Sequence, residues 1–463
     1  MAKPMANPLN GKPTAQSAAT QTKPPIKGKP PAQSAEAQAW YEATDRLARQ
    51  FAADIREQMK TERLVLVLGG GAPHSPLMAG ALYALNERIR RRFNGGKGRF
   101  DAIYTAGGGA LIGLLYVAPQ GGDPRHALRS IVNMGVADSL YRTVPLAYKT
   151  FRKPGPFEPI FQEWAETFKL ATKDFPELRS WVTRWLERWG GPARPHQPRY
   201  GGFVPDDPQR RLYEDWVDFV FAALAPATLT PQSLALCDPV PYLETMVDFT
   251  ALQRFRGEFY VNAYDVTLGR PQQFKKSQIN AKHVRAALAF PFIYPPAKIG
   301  QSWFTEGALH DPLLLPRGAD PSDCPDGCGP DDFDWFMALQ LAYKKYLQPP
   351  ANGGPTPTIV YMDILGSLAK PLLRTPRDLW DAYGQSIITP IVALAQKDLE
   401  QFMTVQAQNV YVGAYRLLDI TFEIPTDCQP HILAWNYSNL CDLWDVGYEA
   451  GVQFWREHAA ELG

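Results

Sequence analysis

Two apolar runs, each followed by glycines and then by a helical pattern, dominate the first part of the chain. The first run is Leu64–Leu68, five consecutive apolar residues that end in Gly69–Gly71. The second is Phe100–Thr105, which leads through one alanine into Gly107–Gly109. Short apolar runs of this kind are typical of strands buried on both faces of a parallel sheet. Together they predict two strand–loop–helix units of an α/β fold.

Hydrophobic periodicity predicts further elements on both sides of these two units. The expected strands cover residues 258–266, 358–365 and 417–424. The expected helices cover residues 37–62, 77–92, 280–290, 335–346, 378–404 and 438–462. Strands that alternate with helices in this way favour an α/β fold with a parallel sheet.

Composition separates an N-terminal tail from the rest of the chain. Residues 1–36 are rich in proline and lysine and contain no acidic residue before Glu36. Such a segment cannot bury a core, so we expect a disordered tail. One domain should follow, and it begins with a leading helix at residues 37–62. Its core covers residues 63–316 and contains a helical insertion at about 150–235. A loop with a helix covers residues 317–357, and closing strands and helices cover residues 358–463.

Charge, cysteine content and hydropathy limit the classes of function that the protein can have. With 48 basic and 47 acidic residues the formal net charge is +1, so no global field favours nucleic acid as a partner. Five cysteines fit reduced thiols in a cytosolic protein better than a disulfide framework. No run of about 18 apolar residues predicts a membrane span. We therefore expect a cytoplasmic protein, and leave open a peripheral contact with a membrane.

A stripe of tryptophans in the insertion is the main signal for such a contact. Trp181, Trp185 and Trp189 recur at helical spacing within residues 178–189, with arginines beside them. Tryptophan flanked by arginine is typical of helices that lie in a lipid interface. The alternative is that the same stripe packs inside the insertion. The lysines of the N-terminal tail offer a second basic surface for anionic lipid.

The stretch around the second glycine turn carries the main chemical signal. A strand, a sharp turn and a helix form the backbone context of a nucleophile elbow, in which a serine is exposed between small residues. The position that would hold this serine is Gly107, and Gly108 and Gly109 follow it. The sequence thus predicts the backbone of a hydrolase elbow without its nucleophile.

Several segments in the same order make the chain similar to one known family. A Thr-x-Gly-x-x-x-x-Phe turn covers residues 267–274, and a Pro-x-x-x-Pro-Pro segment covers residues 291–296. With the elbow, they resemble the patatin-like phospholipase family over residues 63–316, and residues 435–451 resemble its closing helix. The resemblance implies a three-layer α/β/α sandwich with a mainly parallel central sheet, here with the tryptophan-rich helical insertion and the disordered tail.

The resemblance also implies a reaction and a ligand. In this family a Ser–Asp dyad hydrolyses lipid acyl esters, without the histidine of a catalytic triad. The serine lies in a Gly-x-Ser-x-Gly elbow, and the aspartate in an Asp-Gly-Gly or Asp-Gly-Ala turn. A glycine-rich loop after the first strand supplies N–H donors to the oxyanion, which is the physics of an activated nucleophile and preorganised donors. The implied ligand is a lipid or another acyl ester.

This sequence departs from the family pattern in all three working parts. Gly107 stands at the nucleophile position and has no side chain to attack with. Glu306 stands at the acid position, in a Glu-Gly-Ala turn, with a side chain longer by one methylene. The oxyanion loop keeps Gly69, Gly70, Gly71 and Ala72. It continues as Pro-His-Ser-Pro, and its two prolines remove two N–H donors.

Two other residues are alternatives for the missing chemistry. Ser75 lies beside His74 in the remodelled loop and is a candidate for a relocated nucleophile. Asp311, five residues after Glu306, is a candidate for a replacement carboxylate. In Asp-Pro turns, however, an aspartate side chain more often binds the backbone.

Three functional hypotheses therefore stay open. The first is a protein of patatin-like fold that binds or acts on lipid acyl esters, with weak or absent hydrolysis because its dyad is degenerate. The second is an active acyl hydrolase that uses a relocated nucleophile such as Ser75. The third is a scaffold or interaction module without catalysis.

Metal chemistry has little support in the sequence. Cys324 and Cys328 share a loop, but Cys428 and Cys441 lie about a hundred residues further along the chain. A zinc site with four cysteines is an open alternative, and we expect no metal and no cofactor.

Overall fold

The computed structural model describes the main elements of the chain, in several separate ranges of residues. The described residues are 35–61, 63–71, 74–92, 100–134, 234–235, 243–291, 294–316, 337–338, 341–346, 357–364, 366, 379–403, 415–425 and 437–462. The predictions for residues 1–34, for the tryptophan helix at 178–189 and for Cys324 and Cys328 fall outside them. Two units are distinguished, Met1–Ala43 and Thr44–Gly463, and the described part of the first is the start of one helix.

The described chain contains nine named helices and eight strands. The helices are α1 (Ala35–Thr61), α2 (Ser75–Arg92), α3 (Gly108–Val117), α4 (Pro124–Ser130), α5 (Leu243–Met246), α6 (Phe249–Arg254), α7 (Ala281–Ala287), α8 (Leu379–Phe402) and α9 (Tyr437–His458). The strands are β1 (Leu64–Leu68), β2 (Ala102–Thr105), β3 (Glu258–Asp265), β4 (Arg270–Lys275), β5 (Ala297–Ile299), β6 (Ser302–Glu306), β7 (Thr358–Met362) and β8 (Arg416–Asp419). Short 3₁₀ turns at Ile131–Met134 and Gly307–Leu309 and a π-helical turn at Ala342–Tyr346 complete the set.

The eight strands form one sheet in the order β5-β6-β3-β2-β1-β7-β8, with β4 paired to β3 outside this path. The neighbours from β3 to β8 are parallel, whereas β4 and β6 run antiparallel to β3. Leu68 at the end of β1 pairs with Thr105 of β2 and with Met362 of β7. The carboxyl ends of the parallel strands therefore meet at one edge of the sheet.

The apolar run of β1 is explained by a core on each face of the sheet. Leu66 and Leu68 belong to a core that includes buried side chains of α2, α3 and α9. Val65 and Val67 point to the opposite face, where a second core includes buried side chains of α1 and α8. The predicted α/β sandwich with a mainly parallel sheet is confirmed.

Helices α2 and α9 cross at very short distance because three glycines lie between them. A Cβ atom on Gly80 would overlap the carbonyl oxygen of Trp444, and one on Gly447 would overlap that of Leu77. A Cβ atom on Gly451 would lie 2.6 Å from the carbonyl oxygen of Ala81. Helix α9 is therefore packed tightly against α2, the helix that follows the first glycine loop.

Candidate active site

Three loops meet at the carboxyl edge of the sheet and bring together residues far apart in sequence. Strand β1 ends in the loop Gly69–Gly71, and β2 passes through Gly107 into α3. Strand β6 ends at Glu306, directly before the 3₁₀ turn Gly307–Leu309. The two positions that the sequence assigns to nucleophile and acid are neighbours here.

Gly107 has a backbone conformation and surroundings that exclude an ordinary side chain. It is the N-cap of α3, with φ 48° and ψ −127°, a region that favours glycine. A Cβ atom at this position would overlap Oε1 of Glu306 and lie 3.1 Å from Cβ of Ala308. The carboxyl group of Glu306 therefore occupies the space next to Gly107 that the side chain of a nucleophile would need.

Glu306 is a buried acid at the turn between β6 and the 3₁₀ turn. Glu306 is only 4% exposed, and its backbone N–H donates to the carbonyl oxygen of Ala289 at 3.0 Å. Within the described parts of the chain, nothing hydrogen-bonds or forms an ion pair with its carboxyl group. Burial raises the pKa of Glu306 to about 8, so the carboxyl group is mostly protonated at neutral pH.

The glycine-rich loop after β1 uses two of its N–H groups inside the fold. Gly69 donates to the carbonyl of Met362 at 3.1 Å, and Gly70 donates to that of Pro312 at 3.0 Å. Both residues were predicted to donate to an oxyanion, and both donors already have backbone acceptors. Gly71 adopts φ 145°, and Ala72 lies outside the described residues.

The start of α3 supplies a different donor. Gly109 packs so closely on the end of β1 that an added Cβ atom would overlap the carbonyl oxygen of Leu68. Its N–H donates to Ala106 at 2.9 Å, whereas the N–H of Gly108 has no acceptor among the residues that the structure describes. The first N–H groups of a helix point outward and carry partial positive charge. An anion is therefore favoured at this point, beside Glu306.

Asp311 acts on the backbone of the turn that follows Glu306. Its Oδ1 accepts the N–H of Leu314 at 3.1 Å, and Leu314 has a positive φ of 40°. This is the backbone-binding use expected of an aspartate in an Asp-Pro turn. The structure therefore gives Asp311 a positioning contact to the backbone.

Asn262 is a site residue that the sequence did not single out. It is buried in β3, and its Nδ2 donates to the carbonyl of Asp311 at 2.7 Å. A Cβ atom on Gly307 would lie 2.5 Å from its Oδ1. Asn262 therefore stabilises the turn that follows Glu306. In the sequence, the signal for this role was a single amide side chain inside a mostly apolar strand.

Ser75 and Thr105 are both buried in the structure. Ser75 is the first residue of α2 and is 7% exposed, and the adjacent His74 is fully buried. Thr105 donates from Oγ1 to the carbonyl of Tyr260 at 2.8 Å, as a packed strand residue does. Neither hydroxyl stands at the turn between β2 and α3, where Gly107 lies.

A family model for patatin-like phospholipase matches residues 66–316, which is more than half of the 463 residues. The chain belongs to the patatin-like phospholipase family. The matched range includes β1 with its glycine loop, Gly107 and Glu306, so the changes described above lie inside the family domain.

The other comparisons add little to this assignment. The crystal structure of VipD from Legionella pneumophila aligns with 86% of this patatin-like chain and 67% of its own, at 12% identity and a TM-score of 0.30. A likeness at this level supports no inference about function. None of the curated proteins compared with the sequence matches it.

Two further findings concern membrane spans and metal ligands in the described residues of the patatin-like chain. No helix in the described parts is both long and apolar enough to cross a bilayer. Among the same residues, no group of three or more potential metal ligands comes together.

Proposed function

We propose that this patatin-like protein binds the acyl group of a lipid at the site between Gly107 and Glu306, and that it has lost hydrolysis by a Ser–Asp dyad. One observation carries the proposal: the carboxyl group of Glu306 fills the space beside Gly107 where a nucleophilic side chain would begin. The protein is then a pseudoenzyme with respect to the family reaction.

The loss of a serine nucleophile has a large effect on rate. In a serine protease it lowers turnover on the order of a millionfold, even though the rest of the site stays in place. Here the oxyanion donors of Gly69 and Gly70 are also engaged with backbone carbonyls. The remaining carboxyl group of Glu306 is mostly protonated at neutral pH, which weakens it as a general base.

A short-chain ester assay combined with a serine-reactive fluorophosphonate probe tests the loss of hydrolysis. We expect no turnover above the uncatalysed rate and no adduct on the wild-type protein. An adduct that maps to Ser75 would instead support an active hydrolase with a relocated nucleophile. The Ser75→Ala variant is the matched control, because it removes the rival nucleophile without touching Gly107 or Glu306.

Acyl binding itself is tested by extracting the purified protein with organic solvent and identifying bound lipid by mass spectrometry. We expect acyl lipid at a stoichiometric level in the wild-type protein. A protein without bound lipid that also fails to bind added acyl lipid would favour the scaffold alternative.

The location of the protein stays a prediction from the sequence. We infer a cytoplasmic protein with a peripheral membrane contact through residues 178–189, supported by the spacing of tryptophan and arginine there. In a flotation assay with anionic vesicles, we expect the wild-type protein to float with the vesicles. The variant in which Trp181 and Trp185 are replaced by alanine should stay at the bottom of the gradient.

A further inference from the structure

We propose that the tips of two neighbouring hairpins, β3–β4 and β5–β6, bind an anionic lipid surface. The contact consists of Val266, Leu268, Trp303 and Lys298, which we call the hairpin surface. It is separate from the acyl site and from the tryptophan helix at 178–189, and it depends on neither of them.

Three large apolar side chains are exposed on these tips. Val266 is 51% exposed and Leu268 is 58% exposed, and both lie in the turn between β3 and β4. Trp303, in β6, is 44% exposed. The N–H of Val266 donates to the carbonyl oxygen of Trp303 at 2.8 Å, so these two residues are neighbours across the strands. Exposed apolar residues that come together in this way mark an interaction site, whereas scattered single ones do not.

The alternation of side chains along β6 makes the exposure of Trp303 unusual. Phe304 is buried, and its ring packs edge-on against that of Phe274. The residue before it points to the opposite face, and a strand with one solvated face normally carries polar residues there. Trp303 occupies such a position. Core packing therefore does not explain why a tryptophan is found here.

Hydrogen bonds hold both tips in place. Asp265 is 1% exposed, and its Oδ1 accepts the N–H groups of Thr267 and Leu268, each at 2.9 Å. Oγ1 of Thr267 accepts the N–H of Trp303 at 2.9 Å and so joins the two hairpins. The apolar side chains are thus presented on a preformed backbone, which reduces the entropy lost on binding.

The tips project beyond the part of the sheet that carries the acyl site. Strand β3 pairs with β2 only as far as Val261, opposite Thr105. At about 3.3 Å per residue, Val266 lies roughly 15 Å further along the direction of β3. Among the described residues, an added Cβ atom on Gly269 or Gly300, in the two turns, would meet no atom within 4 Å beyond its chain neighbours. The hairpin surface is therefore open to a partner.

The charges on the two hairpins favour an anionic partner. Over residues 264–275 and 294–306 the acids are buried, whereas the basic residues are exposed or half-buried. The acids are Asp265 and Glu306, and the basic residues are Arg270, Lys275 and Lys298. Nζ of Lys298 lies 5.6 Å from the ring centroid of Trp303. Tryptophan is typical of the membrane–water interface, and lysine beside it is attracted to anionic lipid.

The size of the hairpin surface favours a membrane over a protein partner. Three exposed apolar side chains cover far less than the roughly 800 Å² that each partner buries in a stable protein complex. A bilayer sets no such minimum, because several weak contacts of one protein act together on the same membrane. Contact through these tips also turns the edge of the sheet that carries the acyl site toward the lipid.

The test of the charge is flotation of the full chain with two kinds of vesicle. One kind contains equal parts of phosphatidylserine and phosphatidylcholine, and the other contains phosphatidylcholine alone. We expect the wild-type protein to bind the anionic vesicles more tightly. Lys298→Gln should lower the partition coefficient on these vesicles about fivefold, because one basic group near the lipid surface is lost. The same variant should bind the neutral vesicles like the wild type.

A double variant removes the apolar part of the contact. Leu268→Ser combined with Trp303→Ala should lower the partition coefficient at least about tenfold, because two apolar side chains no longer leave water on binding. The matched control is Tyr41→Ala combined with Met403→Ser, which replaces two exposed apolar residues elsewhere and should bind like the wild type. All four positions are exposed, so both variants should keep the urea midpoint of the wild type.

Quenching by brominated phospholipid in the vesicles tests directly whether Trp303 enters the bilayer. Part of the quenching seen with the wild-type protein should be lost in Trp303→Phe, which keeps an apolar ring on the tip. Equal quenching of the two proteins would contradict the insertion of Trp303.

Three further results would overturn the inference. Equal vesicle binding by the wild type and the double variant would contradict the hairpin surface, but leave acyl binding and the helix at 178–189 unaffected. If the double variant lost self-association instead of vesicle binding, the surface would belong to a second copy of the chain. Absence of wild-type binding to any vesicle would contradict both membrane contacts, whereas acyl binding is decided separately by lipid extraction.

Discussion

At the scale of single residues, Gly107 and Glu306 are sterically matched. The extra methylene of glutamate extends the carboxyl group by roughly 1.5 Å relative to aspartate. That extension brings Oε1 into the space that is open only because residue 107 has no Cβ atom. The two departures from the family pattern are therefore one structural change, in which each substitution accommodates the other.

A double-mutant cycle in the free energy of unfolding measures this match. Gly107→Ser should destabilise the protein by about 1–3 kcal/mol, because the new side chain overlaps the carboxyl group of Glu306. Combined with Glu306→Asp, part of that loss should be recovered, with a coupling energy of about 0.5–3 kcal/mol. Urea unfolding of the wild type, both single variants and the double variant provides the numbers. Strictly additive effects would show that the two side chains do not compete for space.

The raised pKa of Glu306 predicts how stability depends on pH. The group titrates near 8 in the folded protein and near 4.5 in the unfolded chain. Between these values the folded state keeps a proton that the unfolded state has released, so stability falls as pH rises, by up to about 1.4 kcal/mol per pH unit. The loss is complete above the folded pKa.

The matched variant for this prediction is Glu306→Gln, which has no proton to release. Urea midpoints of both proteins should be measured from about pH 5 to about pH 8, and as the pH rises the wild type should lose stability relative to Glu306→Gln. A constant difference across this range would mean that Glu306 titrates normally in the folded state.

At the scale of elements, the crossing of α2 and α9 depends on small residues. Gly447→Ala should destabilise the protein by about 1–3 kcal/mol, because the added methyl group overlaps the carbonyl oxygen of Leu77. Glu449→Ala, on the same helix but not at the crossing, should change stability by less than about 0.5 kcal/mol. Thermal unfolding of both variants checks the contrast. An unchanged or raised unfolding temperature in Gly447→Ala would contradict the close crossing, because alanine is the better helix former.

The turn after Glu306 should depend on the side chain of Asp311 as a backbone acceptor. Asp311→Ala leaves the buried N–H of Leu314 without its acceptor and should cost about 1–3 kcal/mol. Asp311→Asn keeps an oxygen acceptor and should lose less than half of that, as measured by chemical unfolding. A large loss in the asparagine variant would show that the negative charge matters.

Elements with a strong hydrophobic pattern were predictable from the sequence. The strand at 64–68 and the helices around α2, α3, α8 and α9 agree with the structure within a few residues, because both faces of the sheet are buried and α9 packs along α2. Helix α1 begins at Ala35, two residues before the predicted start. Strand β8 ends at Asp419, well before the predicted limit of 424.

The antiparallel part of the sheet could not be predicted in the same way. Strands β4, β5 and β6 are short and mostly half-buried, so they lack a continuous apolar run. Their pairing depends on β3, which offers partners for β4 on one edge and β6 on the other. Placement of Glu306 at the end of β6 is therefore a result of tertiary pairing.

At the scale of the whole molecule, the sheet order brings Glu306 beside a residue about 200 positions earlier in the chain. The order of the motifs in the sequence indicated the fold and the places of Gly107 and Glu306 in it. The engagement of Gly69 and Gly70 with Met362 and Pro312 was not predictable, because these acceptors come from other strands and loops. Nor could the sequence indicate that Glu306 points toward Gly107. Both facts support the proposal that the site binds an acyl group and has lost ester hydrolysis.

The most direct test of the account is the intact mass after reaction with a fluorophosphonate probe. We predict an adduct on the Gly107→Ser/Glu306→Asp variant, mapped to residue 107, because this pair restores a nucleophile and the space it needs. The wild-type protein should stay unmodified, and Gly107→Ser alone should react more slowly than the double variant. Labelling of the wild-type protein, at Ser75 or any other residue, would contradict the claim that the site has lost its nucleophile.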